Sequence, residues 1–321
     1  MRAIPRKHVI QYFVLALCAG IILKYFADRK DELGRIFNLQ GNDLIVLALL
    51  GFFIHMLMGY KMFFILRKLG LKGMSPLPWL KVFTISRFLN FHLVQGGNVY
   101  RGVKLKQDYA FSYTDSLSMM AIFSWFEAVF ILIISAVMVA VSDRGVSIAG
   151  VQALKVLVLL LVLFLCLPFV VEVILRRWRP RVAQKSWLHE KLTQLTDSMT
   201  AGIRDVQLLV TLFCLSLITF LVYIWQINTA FRAIGAPIGF SETAVFTAVT
   251  LLSGIINITP SNIGVTELMY GYLSSVMGKS MGSGIIVCGI LRILGYLIVV
   301  VAMVLFGKSL GGGQAKQERK F

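Results

Sequence analysis

Residues 90–101 read NFHLVQGGNVYR and residues 257–267 read NITPSNIGVTE, and the interpretation of these two stretches decides the fold. Each interrupts an apolar run with helix-breaking and polar residues. In each, a glycine follows an asparagine by seven positions, Asn90 to Gly97 and Asn257 to Gly264. A bilayer core has no water to satisfy free backbone groups, so irregular chain at that depth survives only when buried in protein or lining a wet cavity. Broken segments at matching places in two halves of a membrane protein point to a site where something is held and moved across.

Composition supplies the membrane. Of 321 residues, 58% are hydrophobic and 15% charged, with a mean hydropathy of +0.80. Runs of about 18 or more mostly apolar residues read as transmembrane helices, and the short alternating segments of a β-barrel are missing. The net charge of +17 lies between the apolar runs. There it sets orientation and meets anionic lipid heads, and no soluble domain remains to read nucleic acid. Cys18, Cys166, Cys214 and Cys288 fall inside apolar helices without a CxxC spacing and are expected as small buried hydrophobes. His8, His55, His92 and His189 show no metal-ligand spacing, so neither a metal nor another cofactor is implied. Arg2, Arg6 and Lys7 before the apolar run from Val9 read as the inner flank of an uncleaved first span.

The expected fold class is an all-α polytopic membrane protein with six full spans, at 9–26, 44–66, 112–141, 152–175, 208–231 and 284–306. Two re-entrant helical hairpins, 77–106 and 241–277, complete it. Entry and exit on one side keep the basic loops around Arg67, Lys104 and 176–204, together with both termini, in the cytoplasm, as the positive-inside rule requires. The first half is then 1–141 and the second 142–307, each built as span, span, hairpin, span; an odd number of crossings inverts one half relative to the other. Residues 182–204 read as an amphipathic helix on the inner leaflet, and 308–321 as a flexible basic tail.

Within the second hairpin, Pro260 ends regular hydrogen bonding, and Ser261 or Asn262 is placed to cap a new helix from Gly264 with Glu267 in its first turn. In the first, Gly96 and Gly97 permit a tight turn, and Asn98 is placed to cap a helix carrying Tyr100 and Arg101, with Lys104 one turn on. Both half-helices are expected to aim free N–H groups at a cavity near mid-membrane. Charges inside apolar segments face the protein interior, because insertion at a span centre costs about 2.5–3.5 kcal/mol each. Arg87, Arg101 and Arg292 are candidates to neutralise a phosphate, and Glu127 and Glu267 to pair with arginines or couple protons. Lys61 and Glu172, near span ends, are expected to snorkel, as are Lys24 and Lys155. Trp79, Trp125, Trp187 and Trp225 are expected as interface anchors or core packing. The expected substrate-binding set is Arg87, Asn90, Gly97, Asn98, Arg101, Asn257, Pro260, Asn262, Gly264, Glu267 and Arg292.

At these residues the chain resembles the lysylphosphatidylglycerol synthase transmembrane region, a flippase-like family. The family's late P-x-x-x-G-x-x-E signature stands as Pro260, Gly264 and Glu267. Its early N-x-x-x-P-G-x-x-G-E…R signature is partial. Anchored on Gly97 and Arg101, it puts Leu93 and Val94 where proline and glycine stand, Asn98 in place of the acid, and Asn90 one position out of register. A Glu-Arg pair in the next span is here Glu127 followed by Ala128. The resemblance covers nearly the whole chain and implies lipid translocation, without the soluble aminoacyl-transferase domain of the two-domain enzymes.

The expected function is a transporter rather than an enzyme. It would move a phosphate-containing lipid, an aminoacylated phospholipid or a polyprenyl-phosphate-linked sugar, across the cytoplasmic (inner) membrane, beside proteins of envelope glycan or aminoacyl-lipid synthesis. The alternatives are an accessory subunit of a cell-envelope synthase and a membrane-embedded glycosyltransferase. Only the latter has residues to point to, the acidic loop of Asp28, Asp31 and Glu32.

Overall fold

A computed structural model describes residues 6–71, 73–93, 95–141, 147–148, 151–178, 197, 200–255 and 259–307. The apolar runs form α1 (Arg6–Asp28), α2 (Gly41–Lys68), α5 (Tyr113–Val141), α6 (Ala153–Trp178), α7 (Val206–Ala233) and α10 (Met281–Gly307). The two interrupted regions each give a pair: α3 (Pro76–His92) with α4 (Gly96–Tyr109), and α8 (Phe240–Ile255) with α9 (Val265–Val276). A 3-10 segment, Lys30–Asn38, follows α1, and a two-residue β-hairpin, β1 (Ser147–Ile148) with β2 (Val151–Gln152), precedes α6.

Local chemistry sets these boundaries. Asp43 accepts the Gln40 amide at 3.3 Å ahead of α2, and Asp205 accepts the Leu208 amide at 2.9 Å at the start of α7. Pro76 occupies the first turn of α3, where its missing N–H costs nothing. Pro168 sits inside α6, and a proline leaves the carbonyl four residues earlier without its helical donor. That carbonyl belongs to Phe164, and Trp125 Nε1 donates to it at 2.9 Å, which ties α6 to α5.

Four helices, Gly41–Lys68, Tyr113–Val141, Val206–Ala233 and Met281–Phe306, are long and apolar enough to cross a bilayer. The chain is a multi-pass membrane protein. α1 and α6, at the places of the other two expected spans, run 23 and 26 residues. The paired helices are shorter, 17 and 14 residues in the first pair and 16 and 12 in the second. At 1.5 Å per residue none exceeds about 26 Å, against a hydrocarbon core of about 30 Å.

Packing between 1–141 and 142–307 follows an exchange rule. α2 and α7 pack on each other, α3 lies on α10, and α8 lies on α5. The outer helices depart from it: α6 follows α5, whereas α1 touches α9 and the 3-10 segment. Two apolar cores result. One is built around Ile65, Trp79, Met119 and Phe130, the other around Leu47, Phe231, Phe246 and Tyr270.

Several expectations change. Lys61 does not snorkel: it is fully buried and paired with Glu127. Cys18 and Cys288 are buried, but Cys166 and Cys214 are exposed. Trp79 is core and its Nε1 donates to the Gly59 carbonyl at 2.7 Å, while Trp225 faces outward. Most of the helix expected at 182–204, with Trp187, lies outside the described residues, as do the Glu172 side chain and the tail 308–321; residues 197 and 200–204 are helical.

Candidate functional site

At the first break, between His92 and Gly96, Gln95 adopts a left-handed conformation (φ 63°) and α4 turns back on α3. The return is tight. A Cβ on Gly97 would lie 1.8 Å from the Ser86 carbonyl oxygen, so only glycine fits there. Asn90 Oδ1 accepts the Gly97 amide at 2.8 Å, and the Gly96 and Asn98 amides are satisfied by the Leu93 and Gln95 carbonyls. The expected cap at Asn98 is therefore displaced: α4 begins two residues earlier, and the Asn98 side-chain Nδ2 donates to Gln95 Oε1 instead. The first amides of α4 are also engaged within the protein rather than free for a ligand.

At the second break, Ser261 and Asn262 both have positive φ (50° and 54°), and the N-cap of α9 is Gly264 (φ 84°) rather than either of them. Glu267 Oε2 accepts the Gly264 amide at 2.7 Å. Its other oxygen, Oε1, pairs with Arg292 Nε at 2.5 Å. Arg292 also donates to the carbonyls of Ser261 (2.8 Å) and Asn262 (3.4 Å) in the distorted turn. Pro260 opens this 3-10 turn, and Asn262 Nδ2 reaches the Ser253 carbonyl. Asn257 lies outside the described residues.

The two breaks meet. The Ser261 hydroxyl donates to the Asn90 carbonyl at 3.1 Å, across 171 residues of chain. Beside this junction is a cavity of about 450 Å³, within the range of roughly 300–1,000 Å³ common for small-ligand sites. Both breaks and the long helices α2, α5, α7 and α10 contribute to its wall.

Of the expected residues, Arg87, Asn90, Asn98, Arg101, Asn262, Arg292 and Glu127 line this cavity. Gly97, Pro260, Gly264 and Glu267 stand behind it and shape the breaks. Arg101 is 3% exposed, with Nη2 donating to Ser86 Oγ (3.0 Å) and Asn98 Oδ1 (3.2 Å), while Nε has no partner. Its guanidinium lies 6.0 Å from the Phe83 ring centre, and that of Arg87 lies 5.9 Å from the same centre. Neither arginine has a carboxylate within ion-pair distance among the described residues. Lys104 does not join them: it pairs with Asp108 at 3.0 Å on the surface.

Glu127 is committed elsewhere. It holds Lys61 at 2.7 Å and accepts the Ser216 hydroxyl at 2.6 Å, which joins α2, α5 and α7. His55, set aside by the sequence reasoning for want of metal-ligand spacing, lines the cavity in full burial. Its Nε2 meets Thr84 Oγ1 at 3.0 Å and its Nδ1 has no partner. A titratable group inside an apolar span was the signal available. Ser86, the hub of the first break, carried none.

The carboxylates of the acidic loop differ in burial. Glu32 is buried against the start of α10, with Tyr25 donating to its carboxylate at 2.9 Å, while Asp28 and Asp31 are exposed. No group of three or more His, Cys, Asp or Glu side chains among the described residues could hold a metal ion.

A model of the lysylphosphatidylglycerol synthase TM region matches residues 11–302. The chain belongs to that family. No curated protein and no solved structure matches it. Membership in the lysylphosphatidylglycerol synthase TM family agrees with a lipid-related role inside the membrane.

Proposed function

We propose that the protein is a flippase-like transporter of the cytoplasmic membrane that moves a phosphate-containing lipid. The observation that carries this reading is Arg101, buried and without a carboxylate, beside Arg87 in a cavity between two broken helix pairs. An unpaired buried guanidinium is costly, and a phosphate oxygen accepting from it removes that cost. The cavity suits a headgroup; the acyl or prenyl chains stay in lipid.

Two re-entrant hairpins in an inverted repeat fit the short paired helices, the Ser261–Asn90 contact and the exchange of α3 on α10 with α8 on α5. Alternating access then comes from rocking of the two halves about the α2–α7 contact. The test is reconstitution into vesicles and measurement of transbilayer movement of a fluorescent phosphate lipid. The reading expects movement above that of protein-free vesicles, and its loss in Arg101→Ala; an Arg101→Ala protein that moves lipid at the wild-type rate removes the proposed site.

A further inference from the structure

Charge around the cavity does not balance, and the imbalance points to a class of headgroup. Among the described residues, four basic side chains and two carboxylates stand in or directly behind its wall: Arg87, Arg101, Arg292, Lys61, Glu127 and Glu267. Lys61 cancels Glu127 and Arg292 cancels Glu267. Each pair stays neutral as a unit even if a proton passes from one partner to the other. Two guanidiniums, Arg87 and Arg101, remain against the shared ring of Phe83. With a neutral His55 the excess is two positive charges, and a protonated imidazole only adds to it.

Resting on the phosphate-lipid reading above, we infer that the cavity selects a headgroup whose phosphate carries two negative charges, a phosphomonoester or a diphosphate ester, over a singly charged phosphodiester. It selects still more strongly against an aminoacylated headgroup. A phosphodiester leaves one of the two guanidiniums without a counter-charge, and an aminoacyl group brings a further ammonium into a site already in positive excess. Planar guanidiniums hold phosphate oxygens in bidentate fashion, so two of them match a doubly charged phosphate in geometry as well as in charge. Arg101 Nε and His55 Nδ1, both buried and without partners, are polar atoms left for such a ligand.

Asn98 supplies the sharpest control. Its Oδ1 already accepts from Arg101 Nη2 at 3.2 Å, so Asn98→Asp places a carboxylate on that guanidinium with almost no change of shape and lowers the excess to one.

The experiment measures binding to the purified protein in detergent. The probes are dihexanoyl phosphatidic acid, citronellyl diphosphate, dihexanoyl phosphatidylglycerol and dihexanoyl lysyl-phosphatidylglycerol. Phosphatidic acid and citronellyl diphosphate are expected to bind at least about tenfold more tightly than phosphatidylglycerol near pH 8, and the lysyl lipid more weakly still. Their ratio to one another tells a monoester site from a diphosphate site. Phosphatidic acid should tighten from pH 5 to 8 as its second proton leaves, with pKa near 6, relative to phosphatidylglycerol, which stays singly charged. In Asn98→Asp the preference over phosphatidylglycerol should collapse. Equal affinities, a tighter lysyl lipid, or a preference untouched by Asn98→Asp overturns the inference; the phosphate-site reading still stands if Arg101→Gln weakens all the anionic probes. If no probe binds, or Arg101→Gln changes nothing, the site reading itself fails. The wild-type series needs no substitution, so a poorly folding variant does not block the test.

Discussion

The two breaks solve one backbone problem with different caps, and the difference determines where charge remains. At the second, Glu267 satisfies the Gly264 amide and neutralises Arg292 in the same stroke. At the first, a neutral side chain, Asn90, satisfies the Gly97 amide, and the nearby arginine, Arg101, finds Ser86, Asn98, the Met62 sulfur and aromatic faces but no carboxylate among the described residues. An acidic cap makes a self-contained structural joint. An amide cap leaves a guanidinium in need of an anion. In the proposed transporter the first break is the recognition half of the junction and the second its brace.

Substitutions at the breaks are the most direct way to break this contrast. Gly97→Ala is expected to have the largest effect, a loss of about 4 kcal/mol or more, because the new Cβ meets the Ser86 carbonyl, a backbone atom that cannot move aside. Expression and gel filtration in detergent would show it as misassembled protein. Next comes the charge that the first half does compensate. Lys61→Ala leaves Glu127 buried alone and should cost about 3–5 kcal/mol, while Lys61→Met combined with Glu127→Leu should cost much less. Thermal unfolding of the two variants separates these outcomes.

The third effect goes in opposite directions at the two arginines. Arg292→Gln strands Glu267 and the Ser261 carbonyl and should cost about 2–3 kcal/mol, allowing for partial exposure. Arg101→Gln removes an uncompensated charge and should leave the unfolding midpoint unchanged or raised while weakening phosphate binding. A fall at Arg101 as large as at Arg292 would erase the distinction between brace and binding half. The smallest effect lies outside the bilayer. Asp205, capping α7 and paired with Lys68 at 2.9 Å, has its carboxyl lowered below the ordinary value, chiefly by the Leu208 amide and then by Lys68. Its contribution is present above the unfolded carboxylate pKa and fades as pH falls through the lower folded value. Acid should therefore destabilise the wild type slightly more than Asp205→Ala, read from melting midpoints at neutral and acid pH.

The breaks were legible because their causes are local. Pro260 cannot donate a helical hydrogen bond and the Gly96–Gly97 pair permits a tight return, so residues 90–101 and 257–267 read as two interrupted segments. The charge partners were not, since Lys61 and Glu127 lie 66 residues apart and only the packing of α2 on α5 brings them together. For the same reason Arg292 read as a ligand for phosphate although tertiary structure gives it to Glu267. The capping amides misled in a third way. A break in a helix frees N–H groups on paper, but Asn90 and Glu267, seven residues before and three after the glycines they serve, take them up.

A cryo-EM map of the protein in nanodiscs of native lipid addresses the central claim most directly. It should show a phosphate density in contact with both Arg87 and Arg101, with the Ser261–Asn90 junction at membrane depth. An Arg101 guanidinium salt-bridged to a protein carboxylate, or α3 and α4 running on as one unbroken crossing, would contradict the account.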